Sequence, residues 1–152
     1  MKLGPSELLE YQPNRYPFLM IDVVEEVVPG EYARGFKNLT WNEWYFPPHF
    51  PGNPNLPGVL QMEAFSQLMT VAITTLPGLK GMVPLGLSYK ISMRREIIPG
   101  DRLDLETRVS SWKRGIASGT GVGKVNGEIA STAEITISIP DILKSFLPKE
   151  VS

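Results

Sequence analysis

The spacing of hydrophobic and polar positions along this chain changes period twice, and each change predicts an element. Residues 18–28 are rich in β-branched and large apolar side chains. Pro29-Gly30 then punctuates them, and residues 32–39 read as a returning strand, so a hairpin is predicted. Ahead of it, Pro5-Ser6-Glu7-Leu8-Leu9-Glu10-Tyr11 combines a helix-opening proline, early acids and paired leucines before Pro13, which predicts a short leading helix. Pro47, Pro48, Pro51, Gly52, Pro54, Pro57 and Gly58 are too dense for helix or central strand and predict a rigid loop. Residues 59–76 contain neither proline nor glycine, and apolar side chains point in nearly every direction around a helical wheel, as in a helix buried on several sides. After Pro77-Gly78 the period falls to two. Leu103, Leu105, Thr107 and Val109 alternate with Asp104, Glu106, Arg108 and Ser110, and Ile135, Ile137 and Ile139 alternate with Thr136 and Ser138. Residues 82–95 and 116–125 supply two more strands, set off by Pro99-Gly100, Lys113-Arg114-Gly115 and the hairpin turn Asn126-Gly127.

Two strands, one long apolar helix and then a run of antiparallel strands leave one helix to cover one face of one sheet. A bent antiparallel sheet wrapped around a central helix, an α+β architecture, meets that requirement. No repeat or low-complexity linker divides residues 1–152, which read as a single domain long enough to bury a core without staples. Composition narrows the chemistry. There is no cysteine, which excludes a disulfide framework, a thiolate zinc site and a cysteine nucleophile, and a single histidine argues against any metal site. Fifteen basic against sixteen acidic residues lack the excess that nucleic-acid binding demands. Glu7 and Glu10 interrupt any signal-peptide core, so the expected location is cytoplasmic. Gln61, Glu63, Gln67 and several threonines argue against the long helix as a membrane span. Gly115, Gly119, Gly121 and Gly123 do not make a phosphate loop, since Val125 rather than Ser or Thr follows Lys124; they mark close strand packing or bulges.

Between Glu43 and Lys80 the only carboxylate is Glu63 and the only imidazole is His49. A carboxyl group on a largely buried helix is costly to ionise, and burial raises its pKa until it can donate a proton near neutrality. A glutamate on an exposed stripe, or one neutralised by a distant arginine, fits the helix pattern equally well. His49 lies in Phe46-Pro47-Pro48-His49-Phe50-Pro51-Gly52, where prolines restrict the backbone and preorganise a base, although a packed structural histidine would read the same way. Pro57-Gly58-Val59 opens the long helix, where unpaired N–H groups at the positive end of the macrodipole suit a developing oxyanion. Gln67, four residues after Glu63, shares its face and is placed to orient it. Together these groups describe proton abstraction beside a thioester carbonyl, followed by loss of a 3-hydroxyl as water.

Several ordered blocks now carry a resemblance. Asn14-Arg15-Tyr16-Pro17-Phe18-Leu19-Met20-Ile21-Asp22, Lys37-Asn38 with Asn42-Glu43, His49-Phe50-Pro51-Gly52, Pro57-Gly58-Val59-Leu60 with Glu63-Ala64 and Gln67, and Ile98-Pro99-Gly100-Asp101 resemble 3-hydroxyacyl-acyl-carrier-protein dehydratases of the FabZ type. The resemblance implies a hotdog fold, a homodimer with active sites at the subunit interface, and often a trimer of dimers. It implies His49 as catalytic base, Glu63 as the acid supplied by the facing subunit, and Gly58 as backbone donor to the thioester carbonyl, with no cofactor. A related branch that also isomerises the double bond carries Asp at the place of Glu63, so dehydration alone is favoured. The chain departs from the family at Pro48, where glycine is usual, and at Asn14, where histidine is common. The substrate carrier, acyl carrier protein bearing a 3-hydroxyacyl chain, is acidic. Lys90, Arg94, Arg95, Lys113 and Arg114 are candidates for a basic rim that attracts it, or are simply solvated strand and turn charges. A hotdog thioesterase, in which Glu63 activates water, and a non-catalytic acyl-carrier-binding subunit are the alternative readings.

Overall fold

Turn chemistry sets the strand register. Arg114 and Gly115 (φ 53° and 84°) and Asn126 and Gly127 (φ 50° and 78°) all adopt the left-handed conformation that two-residue hairpin loops require. They join β4 (Arg102–Lys113) to β5 (Ile116–Val125) and β5 to β6 (Glu128–Ser138), with Lys113 opposite Ile116 and Val125 opposite Glu128. The computed structural model describes residues 1–149, so the last three residues of the expected 1–152 unit lie outside the described residues. With β1 (Val23–Val28), β2 (Tyr32–Asn38) and β3 (Leu85–Met93), the strands form one antiparallel sheet in the order β1-β2-β4-β5-β6-β3. The helices are α1 (Pro5–Tyr11), α2 (Gly58–Thr74) and α3 (Pro140–Leu143), the last running into a 3-10 turn, Lys144–Phe146.

The sheet holds α2 against one face, as the hotdog expectation required. From Leu60 to Thr74 every residue except Glu63 is buried. The glycines of β5 explain how the helix comes so close. A Cβ on Gly121 would stand 2.6 Å from the Phe65 ring, and one on Gly119 would stand 2.5 Å from the Met69 methyl. The glycines expected to serve strand packing thus also admit Phe65 and Met69 of α2 onto the middle of the sheet. No helix of the described residues is long and apolar enough to cross a membrane.

One boundary differs from expectation. The strand expected over residues 18–28 begins only at Val23, because the backbone ahead of it is committed elsewhere. The Met20 N–H donates to Gln67 Oε1 (2.8 Å) and the Phe18 carbonyl accepts from Gln67 Nε2 (2.7 Å). Groups bonded to a helix side chain are lost to a strand ladder. At the far end of the sheet, β3 pairs only with β6, and Leu85, Leu87, Tyr89 and Met93 are exposed along it.

Candidate active site

Glu63 is held from its own helix. Gln67, one turn on, donates through Nε2 to Glu63 Oε1 (2.9 Å). Gln67 cannot drift, since the segment around Phe18 and Met20 engages both ends of its amide, and the buried Gln12 donates to its backbone carbonyl (3.0 Å). Burial pushes the Glu63 carboxyl above its ordinary pKa, and the Gln67 hydrogen bond opposes only part of that. The result is a fixed carboxyl group that keeps its proton to higher pH than an exposed glutamate does.

His49 is held by the loop instead. Its N–H donates to the Phe46 carbonyl (3.3 Å), its carbonyl accepts from Asn55 N–H (2.8 Å), and its Nδ1 lies 2.8 Å from the Asn55 carbonyl oxygen. A carbonyl can only accept, so this contact requires the proton on Nδ1 and leaves the Nε2 lone pair free as a base. The loop is anchored by Lys37, whose buried ammonium reaches Glu43 (2.9 Å), Asp22 (3.4 Å) and the Asn38 carbonyl (2.9 Å). The Lys37-Asn38 and Asn42-Glu43 blocks therefore fasten the strand end to the segment that leads into His49.

The start of α2 carries no side-chain cap and no acid in its first turn. Leu60 and Gln61 donate to the Pro57 carbonyl, and the N–H groups of Gly58 and Val59 have no backbone acceptor among the described residues. Val59 is 77% exposed, so only its backbone faces the helix axis. Gly58 has a second reason to lack a side chain, because a Cβ there would collide with the sulfur of Met93 from the end of β3.

Within this one chain, His49 and Glu63 are not brought together. The Glu63 carboxyl opens onto a cavity of ≈ 150 Å³ whose walls include Asn14, Ser66, Gln67, Thr70, Gly86 and Tyr89 but not His49. The five basic candidates also divide. Arg94 and Arg95 follow β3 at the Gly58 end, with Arg95 paired to Glu128 (3.1 Å) and Asp101 (3.7 Å), and Lys90 lies opposite Glu134 on the strand itself. Lys113 and Arg114 sit level with Leu85, since Lys113 faces Ile116, Ile116 faces Ser138 and Ser138 faces Leu85. Nine residues of strand, roughly 30 Å, separate the two groups along the sheet.

Sequence reasoning passed over three residues at the site. Gln12 had no pattern to mark it. Ser66 shares the Glu63 face at three residues' spacing and was findable on that ground. Tyr89 lies on an exposed strand, yet its hydroxyl is 2.9 Å from Ser66 Oγ.

A family model described as the FabA-like domain matches residues 12–134. The chain is 46% identical over 140 residues to the 3-hydroxyacyl-acyl-carrier-protein dehydratase FabZ of Clostridium acetobutylicum, covering 91% of this chain and 99% of that protein. It is 45% identical over 140 residues to the FabZ of Enterococcus faecalis, with the same coverage. Among solved structures, the dehydratase heterocomplex ApeI:P from Xenorhabdus doucetiae superposes with a TM-score of 0.76 at 15% identity, over 93% of this chain and 97% of that one, a likeness of fold.

Proposed function

This chain belongs to the FabA-like domain family as a FabZ-type member, and on that premise we propose that it removes water from 3-hydroxyacyl chains carried on acyl carrier protein, giving trans-2-enoyl thioesters for acyl-chain biosynthesis. The reading rests chiefly on Glu63, a carboxyl group kept protonatable by burial and held in place by Gln67. The thioester oxygen lies at the N–H groups of Gly58 and Val59, which stabilise the negative charge that grows as C2 loses its proton. His49 Nε2 takes that proton, the C2–H electron pair becomes the new double bond, and the C3–O bond breaks as Glu63 hands its proton to the departing hydroxyl. Water leaves, His49 is left as imidazolium and Glu63 as carboxylate, and proton exchange with solvent restores both. The substrate needs no cofactor for this step.

The site is completed by a second copy of the chain. The free edge of β3, with its exposed Leu85, Leu87 and Met93, invites antiparallel pairing with the same edge of another protomer. Such pairing sets the Met93 end of one copy beside the Leu85 end of the other. The His49 loop, joined at Leu56 N–H to the Ile97 carbonyl, belongs to the first end, and the Glu63 cavity, with Leu85 and Gly86 in its wall, belongs to the second. The same symmetry brings Arg94 and Arg95 of one copy to the end that carries Lys113 and Arg114 of the other, forming a two-copy basic rim for an acidic carrier. The single 1–152 domain then works as a cytoplasmic homodimer.

Mixing tests the shared site. His49→Ala and Glu63→Gln should each be severely impaired alone, and co-refolding them yields mixed dimers with one intact pair. Dehydration recovered on mixing supports the arrangement, and its absence in proven mixed dimers sinks it. Release of free carrier thiol without a conjugated enoyl product would instead select the thioesterase reading.

A further inference from the structure

The Glu63 cavity has a wall that dehydration does not use. Tyr89 is 43% exposed, yet its ring bends back along β3 so that the phenol hydroxyl meets Ser66, a residue 7% exposed, at 2.9 Å. Gly86 makes that posture possible, since a Cβ there would collide with the Tyr89 hydroxyl. The strand is irregular at the same place, with the β3–β6 register shifting between Gly86 and Ser88. A bulge, a glycine and a hydroxyl pair thus combine to lay one aromatic ring across the groove beside the acid.

This ring bears on the acyl tail beyond C3. With the thioester at the α2 start and C3 beside Glu63, the tail from C4 onward runs into the remainder of that cavity. Its wall there is mixed, with Asn14, Ser66, Thr70 and Tyr89 beside Pro84 and Leu85, so an alkyl tail gains less by entering than it would in a run of leucines and phenylalanines. Within one chain the cavity beside Glu63 is ≈ 150 Å³, and Tyr89 takes up the side of it that β3 provides.

We propose that the Tyr89–Ser66 pair is an acyl-chain selector, seated in the slot left by Gly86, that makes this chain a short-chain dehydratase preferring 3-hydroxybutanoyl over long saturated 3-hydroxyacyl thioesters. That role rests on the dehydration reading of the same site. Tyr89 blocks the path and Ser66 positions it. A long tail must displace the ring, giving up its hydroxyl contact with Ser66 as it does so.

The test is the ratio of kcat/KM for 3-hydroxydecanoyl to that for 3-hydroxybutanoyl, both on acyl carrier protein. The wild type is expected to favour the short chain by about tenfold or more. Tyr89→Ala should raise the long-to-short ratio by about tenfold, and Ser66→Ala, which frees the ring without removing it, by roughly threefold, in line with the loss of one hydrogen bond. Thermal melting confirms that each variant folds, and Ser66→Ala carries the test if Tyr89→Ala does not. A wild type indifferent to chain length, or a ratio unmoved in folded variants, overturns the selector while leaving dehydration standing. If neither thioester is dehydrated, the dehydration reading fails on its own. The selector is then judged by binding of decanoyl- and butanoyl-pantetheine, where the same variants must shift the affinity ratio or the proposal falls with it.

Discussion

The two ends of the proposed acid/base pair are held by opposite means. His49 is positioned by its own neighbourhood: Phe46, Asn55 and its own backbone, all within six residues, fix the loop and the imidazole. Glu63 is positioned by residues from far along the chain, with Gln67 steadied by Gln12, Phe18 and Met20 at sequence separations of 47 to 55. The immediate contacts of the base are therefore local, with Lys37 and Ile97 anchoring its loop from further away, and those of the acid's support are tertiary. The first should survive many changes elsewhere, whereas the second should fail when distant contacts are cut.

The largest effect expected removes either group outright. His49→Ala and Glu63→Gln should each lower kcat by about 10²–10⁴ in steady-state dehydration, with the fold intact by circular dichroism. Because the two act in one step, the double variant should lose little more than the worse single one. A double variant whose losses multiplied would mean the two residues act independently.

Gln67→Ala comes next and separates the two modes of support. It strips the buried Met20 N–H and Phe18 carbonyl of their partner, costing about 1–3 kcal/mol in denaturant unfolding. It should also lower kcat by releasing Glu63. An unchanged kcat in the folded variant would show that the acid holds itself.

The pH dependence of stability is a subtler reading of the same contrast. Glu63 binds its proton more tightly in the fold than in the unfolded chain, where the ordinary value is 4.5. The native state therefore loses stability as pH rises from there through the raised folded value. Glu63→Gln carries no such charge, so its melting temperature relative to wild type should rise as pH climbs above 4.5. A difference flat above that pH would mean that the carboxyl group is not desolvated. The smallest effect belongs to the local end. Pro48→Gly loosens the unfolded chain and should cost about 0.4–1 kcal/mol, with dehydration changed only slightly.

Much of this was readable because periodicity reports burial directly. The proline-free run of residues 59–76 became α2 within two residues at either end, and Asn126-Gly127 and Arg114-Gly115 formed their turns because a left-handed pair of residues leaves few alternatives. The strand start at Val23 was not readable. Residues 18–22 carry strand-like side chains, and their backbone is diverted by an amide 47 or more positions away that no local window contains. Tyr89 was missed for a related reason: an exposed strand with Gly86 and a bulge gives no periodic sign of which way its aromatic ring turns.

The chain by itself determined that one otherwise uncharged, proline-bounded helix would hold a lone carboxyl group, that a proline-rich loop would hold a lone imidazole, and that the ordered motifs around both would resemble one family. Those properties come from composition and from spacing along a single element, which short-range sterics and burial fix. Only the tertiary structure decided that Gln67 would be clamped from the N-terminal segment, that His49 would turn Nδ1 to the Asn55 carbonyl, and that His49 would lie outside the wall of the Glu63 cavity. It also decided that Tyr89 would fold over Gly86 onto Ser66. Such outcomes depend on which distant groups meet, and hydrogen bonds and close packing between remote segments leave no repeat in the sequence to announce them.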